Sequence, residues 1–246
     1  MKFKKIVGFG DSWMYGDELL DPELARADPA AHTCWVQNTV YREKHCFLGL
    51  LGKHYNLPTE NFGIPGGSLD STMWTYQWWL QHESDPRSCL IVIFLTESNR
   101  FSLYNPNHVH YSNDPPWNKF VHSTWVHFGS SVIGPDFTDL IKQHIVLTEC
   151  RDLDALRYHQ ALLFFDGQQA RIGMPMIMTN TMPAPKNSPS VQTLLWPGFS
   201  WTLFFRDHPG NQNRELIMPG GHPNELGHEL ILDRLIPEID RVIITE

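Results

Sequence analysis

Strands and helices alternate along this chain, and that alternation predicts an α/β fold: a three-layer α/β/α sandwich around a central parallel sheet. Three observations carry the prediction. Residues 90–95 are apolar throughout and rich in β-branched side chains, as a strand buried on both faces must be. An apolar run ending at Gly8 passes directly into the turn residues Gly10, Asp11 and Ser12, so a polar group lies at the carboxyl end of a strand. Segments with helical apolar spacing separate these strands, long enough for crossover connections.

Taken in order, residues 4–8 form the first predicted strand. Residues 42–54 follow as a helix, with Cys46, Leu48, Leu50 and Leu51 at helical spacing. A short second strand ends at Asn61. Residues 68–82 read as a helix capped by Ser68 or Asp70, with Met73, Trp74, Trp78 and Leu80 directed inward. After the central strand at 90–95 come a long amphipathic helix over 147–169 and a strand over 175–179 that ends at Asn180. A closing helix begins after His222-Pro223-Asn224-Glu225-Leu226-Gly227-His228. The 246 residues suffice for one such domain with a sizeable core.

In open α/β sheets reacting groups gather at the carboxyl ends of the strands. Ser12 is at such an end, but a serine hydroxyl is a weak nucleophile until a base takes its proton. His222, in the loop before the last helix, is the candidate base. Ser12 also has a purely structural reading as a helix cap, and His222 as a loop residue fixed by Asn224. Asp11 is expected to bond local backbone amides, and His228 to pack or cap.

With both ends in view, the chain resembles the SGNH (GDSL-like) hydrolases, a family of serine esterases and acetylesterases. Gly10-Asp11-Ser12 matches the family's nucleophile block and is followed by Trp13-Met14-Tyr15-Gly16-Asp17-Glu18-Leu19. Asn61-Phe62-Gly63-Ile64-Pro65-Gly66-Gly67-Ser68 matches its Asn- and Gly-containing second block. The third block, Gly-x-Asn-Asp in the family, is replaced by Thr96-Glu97-Ser98-Asn99-Arg100. In the last block the aspartate expected three residues before the histidine is replaced by Pro219, with Gly220 and Gly221 between.

The resemblance implies a flavodoxin-like sheet and acyl transfer to water, with Ser12 attacking an ester carbonyl and His222 relaying the proton. It implies an oxyanion hole from the backbone N–H groups of Ser12 and Gly66, with Asn99 as third donor; Glu97 falls at the counted third position, but an ionised carboxylate would repel an oxyanion. Gly66 and Gly67 also suit a turn that needs positive φ. What orients His222 stays open. The compact Pro219-Gly220-Gly221 turn favours a backbone carbonyl near Met218 or Pro219, and Asp207 from the preceding loop is the alternative. Substrates implied are short acyl esters, O-acetyl groups on carbohydrate among them.

Composition narrows the partners. A net charge of −8 gives no basic footprint for nucleic acid. Met1 to Lys5 is basic, but the apolar run after it is too short for a signal peptide, and no later stretch approaches a membrane span. Cys34, Cys46, Cys89 and Cys150 show no metal spacing and no disulfide density, so reduced thiols, no cofactor and no metal are expected. These features fit a cytoplasmic protein or a component of a viral particle, with an oligomer or assembly allowed.

Two segments interrupt the alternation. Residues 101–135 hold Tyr104, Tyr111, Trp117, Phe120, Trp125 and Phe128 among His108, His110, His122 and His127, and read as an insertion that either walls a substrate or packs upon itself. Residues 181–213 carry Trp196, Phe199, Trp201, Phe204 and Phe205, which could line the other side of a cleft or form a protein surface. These aromatic loops, the altered third block and the missing aspartate motivate a second reading: a catalytically degenerate carbohydrate-binding or structural module on the same fold. A flavin or nucleotide binder is disfavoured, because no phosphate-cradling glycine loop follows the first strand.

Overall fold

The computed structural model describes residues 3–27, 38–98, 100–104, 125–128, 151–186, 188–189, 191–211 and 215–244. Its elements run β1 (Lys5–Gly10), α1 (Ser12–Tyr15), α2 (Pro22–Ala27), α3 (Thr39–His45), α4 (Phe47–Tyr55), β2 (Thr59–Gly63), α5 (Leu69–His82), β3 (Cys89–Leu95), β4 (Phe101–Tyr104), β5 (Trp125–Phe128), α6 (Arg151–Ile172), β6 (Met176–Asn180), α7 (Trp201–Asp207) and α8 (Glu225–Ile244). The sheet order is β2-β1-β3-β6, with every pair parallel. This is the doubly wound α/β/α arrangement, in which all four carboxyl ends meet at one edge. β4 and β5 form a separate antiparallel pair. The rest of the 101–135 insertion, Cys34 and Cys150 lie outside the described residues.

Strand alternation divides the core in two. Ile6, Leu90, Val92 and Phe94 face a cluster with Leu48, Leu51, Trp201, Ile231 and Leu235. Val7, Phe9, Ile91, Ile93 and Leu95 face the other, with Tyr76, Trp79, Tyr158, Leu162 and Phe165. The β3 side chains are buried on both faces, which is why this strand reads as an unbroken apolar run.

Three expectations are corrected. The single helix over 42–54 is two, because Cys46 is extended (φ −68, ψ 155) between α3 and α4. At this corner the chain packs backbone against backbone: a Cβ on Gly49 would run into the Glu43 carbonyl oxygen. The inward face of α5 is Leu69, Thr72, Tyr76 and Trp79, with Met73, Trp78 and Leu80 at its margin. Trp74 is 48% exposed. Tyr76 and Trp79 meet Phe9 edge-on at 5.4 and 5.6 Å, and this contact sets the rotation of the helix. The α5 cap is Ser68, in a reciprocal pair with Ser71.

The third correction concerns the aromatic loop. Trp201 and Phe205 are fully buried, and Trp196, Phe199 and Phe204 pack against them, so these rings fill the core beneath α8 rather than line a cleft. The Arg234 guanidinium covers Trp196, Phe199 and Phe204 at 4.8, 4.6 and 5.2 Å from the ring centres. Cys46 and Cys89 are free and buried. Among the described residues no helix is long and apolar enough to cross a membrane.

The end of β2 is pressed onto α1, since a Cβ on Gly63 would overlap the Tyr15 backbone nitrogen and Cα. Overpacking against backbone costs about 1–3 kcal/mol. Gly63→Ala is therefore expected to lower the thermal midpoint by about 3–10 °C in a calorimetric scan, at the sensitivity usual for chains of this size. An unchanged midpoint would mean that this approach is not tight.

Candidate active site

β1 ends at Gly10, and Asp11 takes the extended N-cap position of α1, its Oδ1 accepting the Trp13 N–H at 3.0 Å. Thr181, beyond the end of β6, reaches the same oxygen at 3.4 Å. The cap is fully buried, so the one-turn helix that carries Ser12 starts from a fixed point. α1 stops at Gly16, whose left-handed backbone (φ 77, ψ 40) directs its N–H to the Ser12 carbonyl. The Asp17 N–H bonds that carbonyl too, at 3.0 Å. The Arg42 guanidinium lies 3.8 Å from the Tyr15 ring centre and steadies the turn.

Asn61 ties the second strand to this turn. Its Nδ2 donates to the Met14 carbonyl at 2.8 Å, and its Oδ1 accepts the Gly63 N–H at 2.9 Å. Gly10 pairs with Gly63, and the Ile64 N–H returns to the Gly10 carbonyl at 2.9 Å. Gly66 follows in a turn with φ 69, a conformation in which a side chain would be strained. The Ser12 and Gly66 N–H groups have no hydrogen-bond partner among the described residues. Asn99 lies outside the described residues. Glu97 sits beside Arg100, its Oε2 accepting from Nε at 3.3 Å.

The loop before α8 is a closed turn. Ile217 and Pro223 bridge, and the Met218 N–H donates to the His222 carbonyl at 2.7 Å. Asn224 locks it to α8: its Oδ1 accepts the Gly227 N–H at 2.9 Å and its Nδ2 donates to the Glu215 carbonyl at 2.6 Å. This turn brings His222 Nε2 to 2.8 Å from Ser12 Oγ. The two residues are 210 positions apart in sequence.

On the far side of the ring, Nδ1 meets the Glu18 carboxylate, with Oε2 at 2.8 Å. Glu18 also accepts the Gly220 N–H at 3.0 Å through Oε1 and the His222 N–H at 3.4 Å through Oε2. An ionised carboxylate can only accept, so Nδ1 carries the ring proton and Nε2 is left to accept from the serine. The two orienting groups expected from sequence are elsewhere. The Met218 carbonyl accepts the Gly221 N–H at 2.9 Å, and exposed Asp207 pairs with Arg206 at 2.7 Å.

Glu18 has φ 65, a left-handed backbone that costs a residue with a Cβ about 1–2 kcal/mol. Asp17, next to it, places Oδ2 4.0 Å from Nε2, on the reacting side of the ring. Burial pushes the Asp17 carboxyl up, against the opposing pull of His222 and of the Glu18 N–H. Both acids directly follow the nucleophile block in the sequence, where residue type alone gives them no role. Their adjacency to Ser12 was the available signal, but their aim depends on a backbone conformation that residue type alone does not announce.

No protein-family profile and no curated protein matches the chain. Among solved structures it is similar to the psychrotrophic esterase EstA from Pseudoalteromonas sp., at 12% identity over 98% of each chain and a TM-score of 0.46. It is similar to LAE5, an α/β hydrolase enzyme from the metagenome of Lake Arreo, Spain, at 14% identity over 95% of this chain and 94% of that one (TM-score 0.42). A third is a member of the lipolytic protein G-D-S-L family from Veillonella parvula DSM 2008, at 15% identity over 95% and 96% (TM-score 0.37). Identities and scores this low say nothing about chemistry, which has to come from the chain's own side chains.

A cavity of about 420 Å³ opens along the β2 edge, between Glu43 and Cys46 on one side and Trp78 and His82 on the other; neither Ser12 nor His222 lines it. His228, one helical turn into α8, is fully buried against Phe47 and accepts the Phe47 N–H through Nδ1 at 3.2 Å. Burial, aided by the nearby His222 charge, pushes its imidazole down to about 3.

The folded state therefore holds His228 neutral where the unfolded chain would protonate it. Its contribution to stability is complete above the unfolded value near 6.5 and declines, by up to about 1.4 kcal/mol per pH unit, as pH falls toward 3. His228→Asn, which keeps an acceptor for the Phe47 N–H, is expected to lower stability at neutral pH and to flatten its fall between pH 6 and 4 (roughly that window), read from urea midpoints. A variant whose midpoints fall as steeply as the wild type's would assign the acid sensitivity to other groups.

Proposed function

We propose that this chain is a serine hydrolase of carboxylic esters. The observation that carries the reading is the 2.8 Å contact between Ser12 Oγ and His222 Nε2, at the carboxyl edge of a parallel sheet. His222 takes the serine proton as Oγ attacks the ester carbonyl, then returns it to the leaving alcohol. The Ser12 and Gly66 N–H groups supply donors for the negative oxygen of the tetrahedral intermediate, with Asn99 as a third donor. Water, activated by the same imidazole, releases the acid and regenerates the serine. Short acyl groups, including O-acetyl on carbohydrate, are the substrate class assigned, on the strength of the sequence blocks around Ser12, Gly66 and His222.

Hydrolysis of p-nitrophenyl acetate tests the reading. Ser12→Ala is expected to abolish turnover and labelling by a fluorophosphonate while leaving the thermal midpoint within a few degrees. Turnover at the wild-type rate in Ser12→Ala would overturn the nucleophile assignment. A wild-type protein that is neither active nor labelled would favour the non-catalytic, carbohydrate-binding reading.

His222→Ala is expected to match Ser12→Ala, with the double variant no slower than either, because residues that act as one unit are non-additive. Losses that multiply would show that the two act separately.

A further inference from the structure

We propose that Glu18 is the positioning acid for His222, so that the acid of the catalytic group is carried by the nucleophile's own loop and not by the loop of the histidine. The inference rests on the ester-hydrolase reading and deepens it. Three donors converge on this one carboxylate: the ring Nδ1 at 2.8 Å, the Gly220 N–H at 3.0 Å and the His222 N–H at 3.4 Å. Two of them belong to His222 itself, so Glu18 fixes both the tilt of the imidazole and the backbone that bears it.

Independent evidence comes from the space around the carboxylate. A Cβ at position 220 would lie 2.5 Å from both Glu18 Oε1 and Oε2, so only glycine leaves room for the acid. The Pro219-Gly220-Gly221 turn is thus shaped to receive a carboxylate from outside instead of supplying one. Glu18 itself is held with φ 65, a conformation a glutamate adopts when its surroundings enforce it. The competing acids are excluded by position. Asp17 approaches Nε2, the reacting nitrogen, at 4.0 Å, and Asp207 is exposed and paired with Arg206.

A carboxylate that merely pinned the loop would give structural support and nothing more. One that serves the imidazole also fixes which ring nitrogen carries the proton, Nδ1 against the carboxylate, with Nε2 left to accept from Ser12. Among the described residues, the carboxylates facing this ring are Glu18, on Nδ1, and Asp17, near Nε2.

The test is Glu18→Gln assayed on p-nitrophenyl acetate beside Ser12→Ala. The expected result is a loss in kcat of about 10³–10⁴, with KM changed by a few-fold at most, as when an orienting acid is replaced by its amide. A kcat within tenfold of wild type, in a preparation whose Ser12→Ala variant is inactive, would overturn the role of Glu18 and leave the hydrolase reading standing. An active Ser12→Ala would instead remove that reading, and the Glu18 role with it. Should Glu18→Gln not fold, the wild-type protein decides through the ring 15N shifts of His222 at neutral pH. They are expected to report a proton on Nδ1, and a proton on Nε2 would overturn the proposal.

Discussion

Strand β1 is hydrogen-bonded in parallel to β2 on one side and β3 on the other, with Gly8 opposite Asn61 and Val92, and Phe9 opposite Phe62 and Ile93. Each pairing fixes where a strand ends, and the ends are where the polar residues start. Asp11 therefore meets Thr181 beyond β6, and Asn61 reaches back to Met14. A slip of one residue in β1 would exchange Val7 and Phe9 with Ile6 and Gly8 between the two cores and turn Ser12 away from the edge. The close approach of Gly63 to the Tyr15 backbone adds a steric cost to such a slip, and the space at Gly8 is already filled by Met14 and Leu48.

Onto this frame the chain adds an unusually acidic surround for one imidazole. Glu18 and Asp17 are neighbours in sequence yet address opposite nitrogens of His222. Burial pushes the Asp17 carboxyl up, and the nearby His222 ring opposes that rise. Arg42 stacks on Tyr15 behind the turn, and its charge also reaches Asp17. The two carboxylates differ little in exposure, Glu18 at 28% and Asp17 at 19%, so their aim at opposite ring nitrogens is what separates them.

Much of this was legible in the sequence. The unbroken apolar character of β3 reported a central strand, and Gly10-Asp11-Ser12 together with His222-Pro223-Asn224 marked the two halves of a site. What escaped was whatever depends on long-range packing. The break at Cys46 comes from backbone contact between Glu43 and Gly49, invisible to helical periodicity. Trp74 reads as apolar and stands half exposed, because Tyr76 and Trp79 claim the contacts with Phe9. Glu18 escaped for a related reason: a glutamate after a strand-end turn looks like solvated surface until the left-handed backbone at 18 and the glycines at 220 and 221 are both in place.

The segment between Gly10 and Glu18 holds the candidate nucleophile, one oxyanion donor and the acid, all anchored on β1. The histidine alone arrives from the far end of the chain, on a turn fastened by Asn224 and the first turn of α8. Any displacement of that turn would part the base from the nucleophile, while Ser12 and Glu18 keep their places after β1. The last helix, with Ile231, Leu235 and Ile239 fully buried in the core, thereby holds the base in register with the sheet.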